Sequence, residues 1–131
     1  MRTLTKAEEQ IMKVLWQIKE GFVNDILDQL PDPKPAYNTV STIVRILEKK
    51  EFVSHVSYGK SHQYYPVVSE KEYTRSYFKS FLNNYFSSSF KSLASFFTKE
   101  ERLSINELEE IKEMIEKQID QERLKRKDNE K

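Results

Sequence analysis

Hydrophobic positions recur at helical spacing through roughly the first fifty residues, alternate with polar ones over the next stretch, and return to helical spacing to the end. Thr5-Lys6-Ala7-Glu8 reads as a capping box, with side chain and backbone exchanging hydrogen bonds across the first turn. Ala7, Ile11, Val14, Leu15 and Ile18 then mark one face of a first helix, which Gly21 is expected to end. A shorter second helix carries Phe22, Ile26, Leu27 and Leu30, and Pro31-Asp32-Pro33-Lys34-Pro35 forms a rigid connector. A third helix begins near Ala36 or Tyr37, with Val40, Ile43, Val44 and Leu47 facing the other two. The runs Phe52–Ser57 and Gln63–Val67 flank a turn at Tyr58-Gly59-Lys60 and predict a hairpin. Three helices and a hairpin in this order make a winged helix-turn-helix.

Beyond Ser69-Glu70 the character changes. Tyr73, Tyr77, Phe81, Tyr85, Phe86, Phe90, Leu93 and Phe97 return about every four residues, along one long helix or two broken near Ser87-Ser88-Ser89. Ser104-Ile105-Asn106-Glu107 is a second capping box, opening a helix with Leu108, Ile111, Met114, Ile115 and Ile119 on one face. The charged tail from Arg123 to Lys131 is expected to fray. The fold class is therefore mainly α with a small β-hairpin. A winged helix-turn-helix domain spans residues 1–69 and a helical dimerisation domain spans 70–131.

The face of the third helix opposite its apolar stripe carries Asn38, Ser41, Thr42, Arg45, Lys49 and Lys50. Asn, Ser, Thr and Arg hydrogen-bond to base edges, and lysines at the helix end suit phosphates. With Lys60 and His62 on the wing, the combination points to double-stranded DNA. A winged helix kept as a protein-interaction module, without operator binding, is the other reading. Net charge is only +1, so any DNA contact rests on local clustering rather than a global field.

The aromatic stripe could line a ligand pocket, but an apolar surface of this length suits an interface better. Tyr73, Tyr77, Phe81, Tyr85, Phe90, Leu108, Ile111 and Ile115 are read as the residues of a two-fold homodimer, which presents two recognition helices to a pseudo-palindromic site.

Other chemistry is poorly supported. The chain has no cysteine, which removes disulfides and thiolate ligands and fits a cytoplasmic location. His55 and His62 on facing strands, without cysteines or an acidic cluster beside them, are a poor metal set, so no metal or other cofactor is expected. Glycine-rich phosphate loops, nucleophile elbows and zinc-protease pairs are absent from the sequence, and no catalytic residues are assigned. The N-terminus lacks a signal-peptide core, and no apolar run approaches the ~20 residues of a membrane span, so no membrane insertion is expected.

Four segments together, LTKAEEQIMKVLW, YNTVSTIVRILEKKEFV, QYYPVVSE and KSLASFFTKEERLSINELEEIKEMI, resemble the penicillinase-repressor (BlaI/MecI/CopY) family of bacterial winged-helix regulators over nearly the whole chain. The resemblance implies a homodimeric transcriptional repressor on an inverted-repeat operator. It places Asn38, Thr39, Ser41 and Thr42 at the family's base- and phosphate-contacting positions. Asn38 and Ser41 stand where the family has lysine and arginine, which implies a different operator and less counterion release. Members that answer β-lactams are inactivated by a membrane sensor-protease; the corresponding bond here is Phe96–Phe97, although the family commonly has Asn before the cut. Copper-sensing members use a C-terminal cysteine cluster, a mode this cysteine-free chain excludes.

Overall fold

The protein is described by a computed structural model covering residues 2–130. Its first helix, α1 (Lys6–Ile18), opens with the capping box read from the sequence: Glu8 N–H donates to Thr5 Oγ1 (3.2 Å) and Thr5 N–H to Glu8 Oε1 (2.9 Å). Ile11, Met12, Val14 and Leu15 are buried along it, while Ala7, expected on that face, is exposed. Lys19, with φ 75°, takes the left-handed C-cap position that was expected of Gly21. Gly21 sits in a tight place instead: a Cβ there would lie 2.8 Å from Ile18 Cδ1, the movable end of that side chain, and 3.1 Å from Asp25 Cβ, so both would have to give.

Helix α2 (Val23–Gln29) buries Val23 and Ile26, with Leu30 just past its end. Phe22 is its half-buried N-cap rather than part of its stripe. Lys34 Nζ donates to the carbonyls of Leu27, Asp28 and Leu30 at 3.2, 3.0 and 2.8 Å, neutralising the helix C-terminus. Helix α3 (Tyr37–Lys49) buries Val40, Val44 and Leu47 against α1 and α2.

Strands β1 (Val53–Tyr58) and β2 (Ser61–Pro66) pair antiparallel, with Tyr58 opposite Ser61. The turn therefore has two residues, Gly59 and Lys60, and Gly59 has φ +62°. Positive φ at the first central residue is the demand that a II′ hairpin turn places on glycine. The base of the hairpin is tied to the α1–α2 connection by paired backbone bonds between Gly21 and Tyr64, 2.9 and 2.8 Å. Phe52, Val53 and Tyr64 carry the hairpin's apolar side into the core.

The chain divides into two compact units, the first running through Ser80 and the second starting at Phe81. This division lies later than the composition change at Glu70 suggests, because helix α4 (Glu70–Phe86) begins as part of the first core. Tyr73, expected at a dimer interface, is buried there, with its ring 5.9 Å from Trp16 and 5.8 Å from Phe52. The Leu4 amide donates to its hydroxyl at 3.4 Å. Burial pushes the Tyr73 hydroxyl pKa up.

In the second unit, Ser87 and Ser88 take positive φ and end α4, so the aromatic stretch is two helices. Ser89 Oγ accepts from Ser92 N–H (3.1 Å) and caps α5 (Phe90–Glu100). The second capping box is also formed, with Glu107 N–H donating to Ser104 Oγ at 3.1 Å. It opens α6 (Ile105–Glu130). That helix runs on through the charged segment expected to fray; Lys131 lies outside the described residues. Leu82 is buried, and Phe86 packs edge-on against Phe96 at 5.7 Å. Among the described residues no helix is long and apolar enough to cross a membrane.

Candidate nucleic-acid interface

Burial of Val40, Val44 and Leu47 fixes which way α3 turns, and its polar positions follow from that rotation. Asn38, Thr39, Thr42, Arg45 and Lys49 are exposed, and Ser41 is half-buried at the edge of the same face. Asn38, Ser41 and Thr42 give the N-terminal half of the face short polar side chains, with Tyr37 at its border. Thr42 Oγ1 donates to the Asn38 carbonyl at 2.9 Å, which leaves its lone pairs as acceptors.

The wing and the start of α2 turn this face into a groove of about 500 Å³. Ser41 and Arg45 line one wall, Lys60, Ser61 and His62 the other, and Asn24 with Phe22 the end. Four of the residues singled out by sequence for DNA contact, Ser41, Arg45, Lys60 and His62, thus converge on one concavity. Asn38, Thr39 and Thr42 lie exposed on the same helix. The carboxylate in the groove, Asp25, accepts from the Phe22 amide at 2.8 Å. Lys49 and Lys60 have no carboxylate within ion-pair distance among the described residues.

Wing geometry is held by ring contacts. His62 stacks flat on His55, with centroids 4.1 Å apart and planes 5° apart, and His55 Nδ1 meets the Glu48 carboxylate on α3. Tyr58, at the tip, packs edge-on against Phe22 at 5.9 Å. The Tyr64 hydroxyl pKa is raised, mainly by burial and further by Glu48, while the neighbouring Arg45 guanidinium works in the opposite direction. Among the described residues no group of three or more His, Cys, Asp or Glu side chains could hold a metal ion.

Lys50, expected at the DNA backbone, is placed elsewhere. One residue further round the helix than Lys49, it faces α1, where Nζ lies 2.7 and 3.0 Å from the Glu8 carboxylate oxygens. Burial pushes the Glu8 pKa up, but the Lys50 contact and the Thr5 hydrogen bonds outweigh this and hold it below the ordinary carboxylate value. Lys50 therefore fastens α3 to α1.

Sequence reasoning missed Tyr37, Tyr58, Phe22 and Asn24, all of which line the groove. Tyr37 and Tyr58 are about half exposed, at 49% and 58%. The available signal was an aromatic residue at each polar border, next to Asn38 and next to Gly59; Phe22 was assigned to the core by periodicity alone.

The sequence model described as "Penicillinase repressor" matches residues 4–117. The methicillin resistance regulatory protein MecI of Staphylococcus aureus strain N315 is 30% identical over 87% of this chain and 94% of its own length. The penicillinase repressor of Bacillus licheniformis is 26% identical over 86% of this chain and 89% of its own. Among solved structures, the DNA-binding domain of the repressor BlaI matches 56% of this chain and 94% of that chain, with 26% identity and a TM-score of 0.48.

Proposed function

The chain belongs to the penicillinase-repressor family, and on that premise we propose that it is a cytoplasmic transcriptional repressor that binds an inverted-repeat operator as a homodimer. The observation that carries the reading is the shared groove, in which Ser41 and Arg45 of α3 face Lys60 and His62 of the wing. In this reading Asn38, Ser41, Thr42 and Arg45 meet base edges, Thr39 meets a base edge or a phosphate, and Lys49 and Lys60 meet phosphates.

Dimerisation is assigned to the second unit. Supporting it are the apolar residues α6 exposes, Met114, Ile115 and Ile119 at 65, 50 and 43%, continuing from half-buried Leu108 and Ile111. Phe81, Tyr85 and Phe90 add exposed ring surface, whereas Tyr77, expected among them, lies in the first unit beside Tyr73. A surface of this kind is expected to be covered by a second copy.

Derepression by a membrane sensor-protease would cut Phe96–Phe97. That bond lies inside α5, with Phe96 exposed and Phe97 half-buried, so a protease acts there only after local opening of the helix. Nuclease footprinting of the full chain on the promoter upstream of its own gene tests the central claim. The expected result is two protected half-sites spaced by a whole number of helical turns. An absence of discrete protection would favour the protein-interaction module instead.

A further inference from the structure

On the α1 side of the first unit a second recess, of about 230 Å³, opens between α1 and the first two turns of α4. It is smaller than the ~300–1,000 Å³ typical of sites for drug-sized ligands. Three aromatic side chains line it: Trp16 from α1, and Tyr73 and Tyr77 one turn apart on α4. Trp16 and Tyr73 have centroids 5.9 Å apart and Tyr73 and Tyr77 6.2 Å apart, each pair tilted rather than stacked flat. Glu9 and Glu70 bring carboxylates to the same recess. Lys13 brings the opposing ammonium, 65% exposed and only 3.6 Å from Glu9, so charge at the rim is two against one in favour of acid.

We propose that this recess binds a small, weakly hydrated organic cation of the quaternary or methylated ammonium class. Tilted aromatic rings present electron-rich faces to a cation within ~6 Å of their centroids. The indole N–H, the one edge of Trp16 that would repel a cation most, is committed to the Val68 carbonyl at 2.9 Å. Glu9 and Glu70 supply the long-range attraction, and Thr74 contributes an uncharged hydroxyl. A metal ion is a poor occupant, because aromatic walls and two carboxylates do not replace its oxygen shell. A neutral apolar ligand gains nothing from the acidic rim. The site is independent of the DNA groove and shares no residue with it.

The chain has a single tryptophan, so Trp16 fluorescence reports directly on the recess. Full-length protein without DNA is titrated with tetramethylammonium and choline chlorides. Sodium chloride at equal ionic strength and 3,3-dimethylbutanol, the neutral isostere of choline, serve as comparators. The expected result is a saturable change with the two ammonium probes and with neither comparator. Tyr77→Ala should weaken binding about fivefold, as loss of one partly exposed cation–π contact predicts, and Tyr77→Phe should keep it. Glu70→Gln should weaken binding, and Lys13→Met should strengthen it. Equal binding of the neutral alcohol, no saturable change, or indifference to Tyr77→Ala would each overturn the proposal. Since no DNA is present, none of these outcomes bears on operator binding.

Discussion

The two units are built to different degrees of completion. The first buries hydrophobic residues from every one of its helices and both strands, and its internal polar groups are paired: Glu8 with Lys50 and Thr5, Trp16 with the Val68 carbonyl. In the second, Leu82 alone among the described residues is a buried hydrophobic, while Tyr85, Phe90, Ile105, Met114 and Leu124 are more than 60% exposed. The contrast teaches that one chain holds all that its DNA-binding unit needs to fold. The second unit, by contrast, leaves most of its apolar side chains exposed, as the proposed homodimer requires.

The largest expected effect separates the units outright. A chain ending at Ser80 should remain folded by circular dichroism, sediment as a monomer, and bind the operator about 10²–10⁴-fold more weakly, because linked half-sites no longer raise each other's effective concentration. A dimeric truncated chain would locate the interface in the first unit. Ending the chain before Glu70 is a different experiment, since it also removes Tyr73 from the core. Tyr73→Ala in the full chain should cost about 3–5 kcal/mol of stability in thermal or urea unfolding. Tyr85→Ala, 74% exposed on the same helix, should leave unfolding of the first unit unchanged and weaken self-association.

The tyrosine pair also shows how far the sequence could be read. Helix existence, both capping boxes and the wing follow from period and local chemistry, because those forces act within a few residues, while the serine run left one helix or two open. Tyr73 and Tyr85 occupy equivalent places in one periodic stripe, and their different fates depend on which turn of α4 reaches a core assembled from other elements. Lys49 and Lys50 are alike in sequence. One helical step aims the second at Glu8, 42 residues away, and no local pattern announces that partner. Gly21 is similar: it looked like a helix terminator, but Ile18 and Asp25 crowd it and Lys19 takes the strained backbone. The polar face of α3 was legible because it is the complement of its apolar stripe. The aromatic borders of the groove were not, because they depend on where the wing folds back.

The Glu8–Lys50 pair gives a smaller effect confined to the first unit. Glu8→Gln leaves Lys50 without its counter-charge, and with the Lys50 side chain 21% exposed the loss should be about 2 kcal/mol. The pH dependence has a definite sign. The Glu8 pKa is lowered in the folded state, so its stabilisation is fully present above the ordinary carboxylate value and is lost as pH falls through it towards the folded value. Unfolding of the wild type followed from pH 7 down to about pH 3 should therefore show a loss of stability that is shallower in Glu8→Gln. Equal slopes would mean that the pair does not couple α1 to α3.

The smallest effect tests whether DNA contact belongs wholly to the first unit. Lys60 is exposed at the tip of the wing and forms no ion pair among the described residues, so Lys60→Ala should leave stability unchanged. Its expected signature is electrostatic: weaker binding to specific and unrelated DNA alike, with a shallower dependence of log Kd on log salt. Each phosphate contact contributes about 0.9 to that slope. A full-length dimer loses two such contacts and its slope should fall by about two, whereas the chain ending at Ser80 should lose about one. The ratio is informative beyond the magnitude. If the slope changes equally in both chains, only one wing of the dimer touches DNA, and the two-fold arrangement on the operator is wrong even though the groove is right.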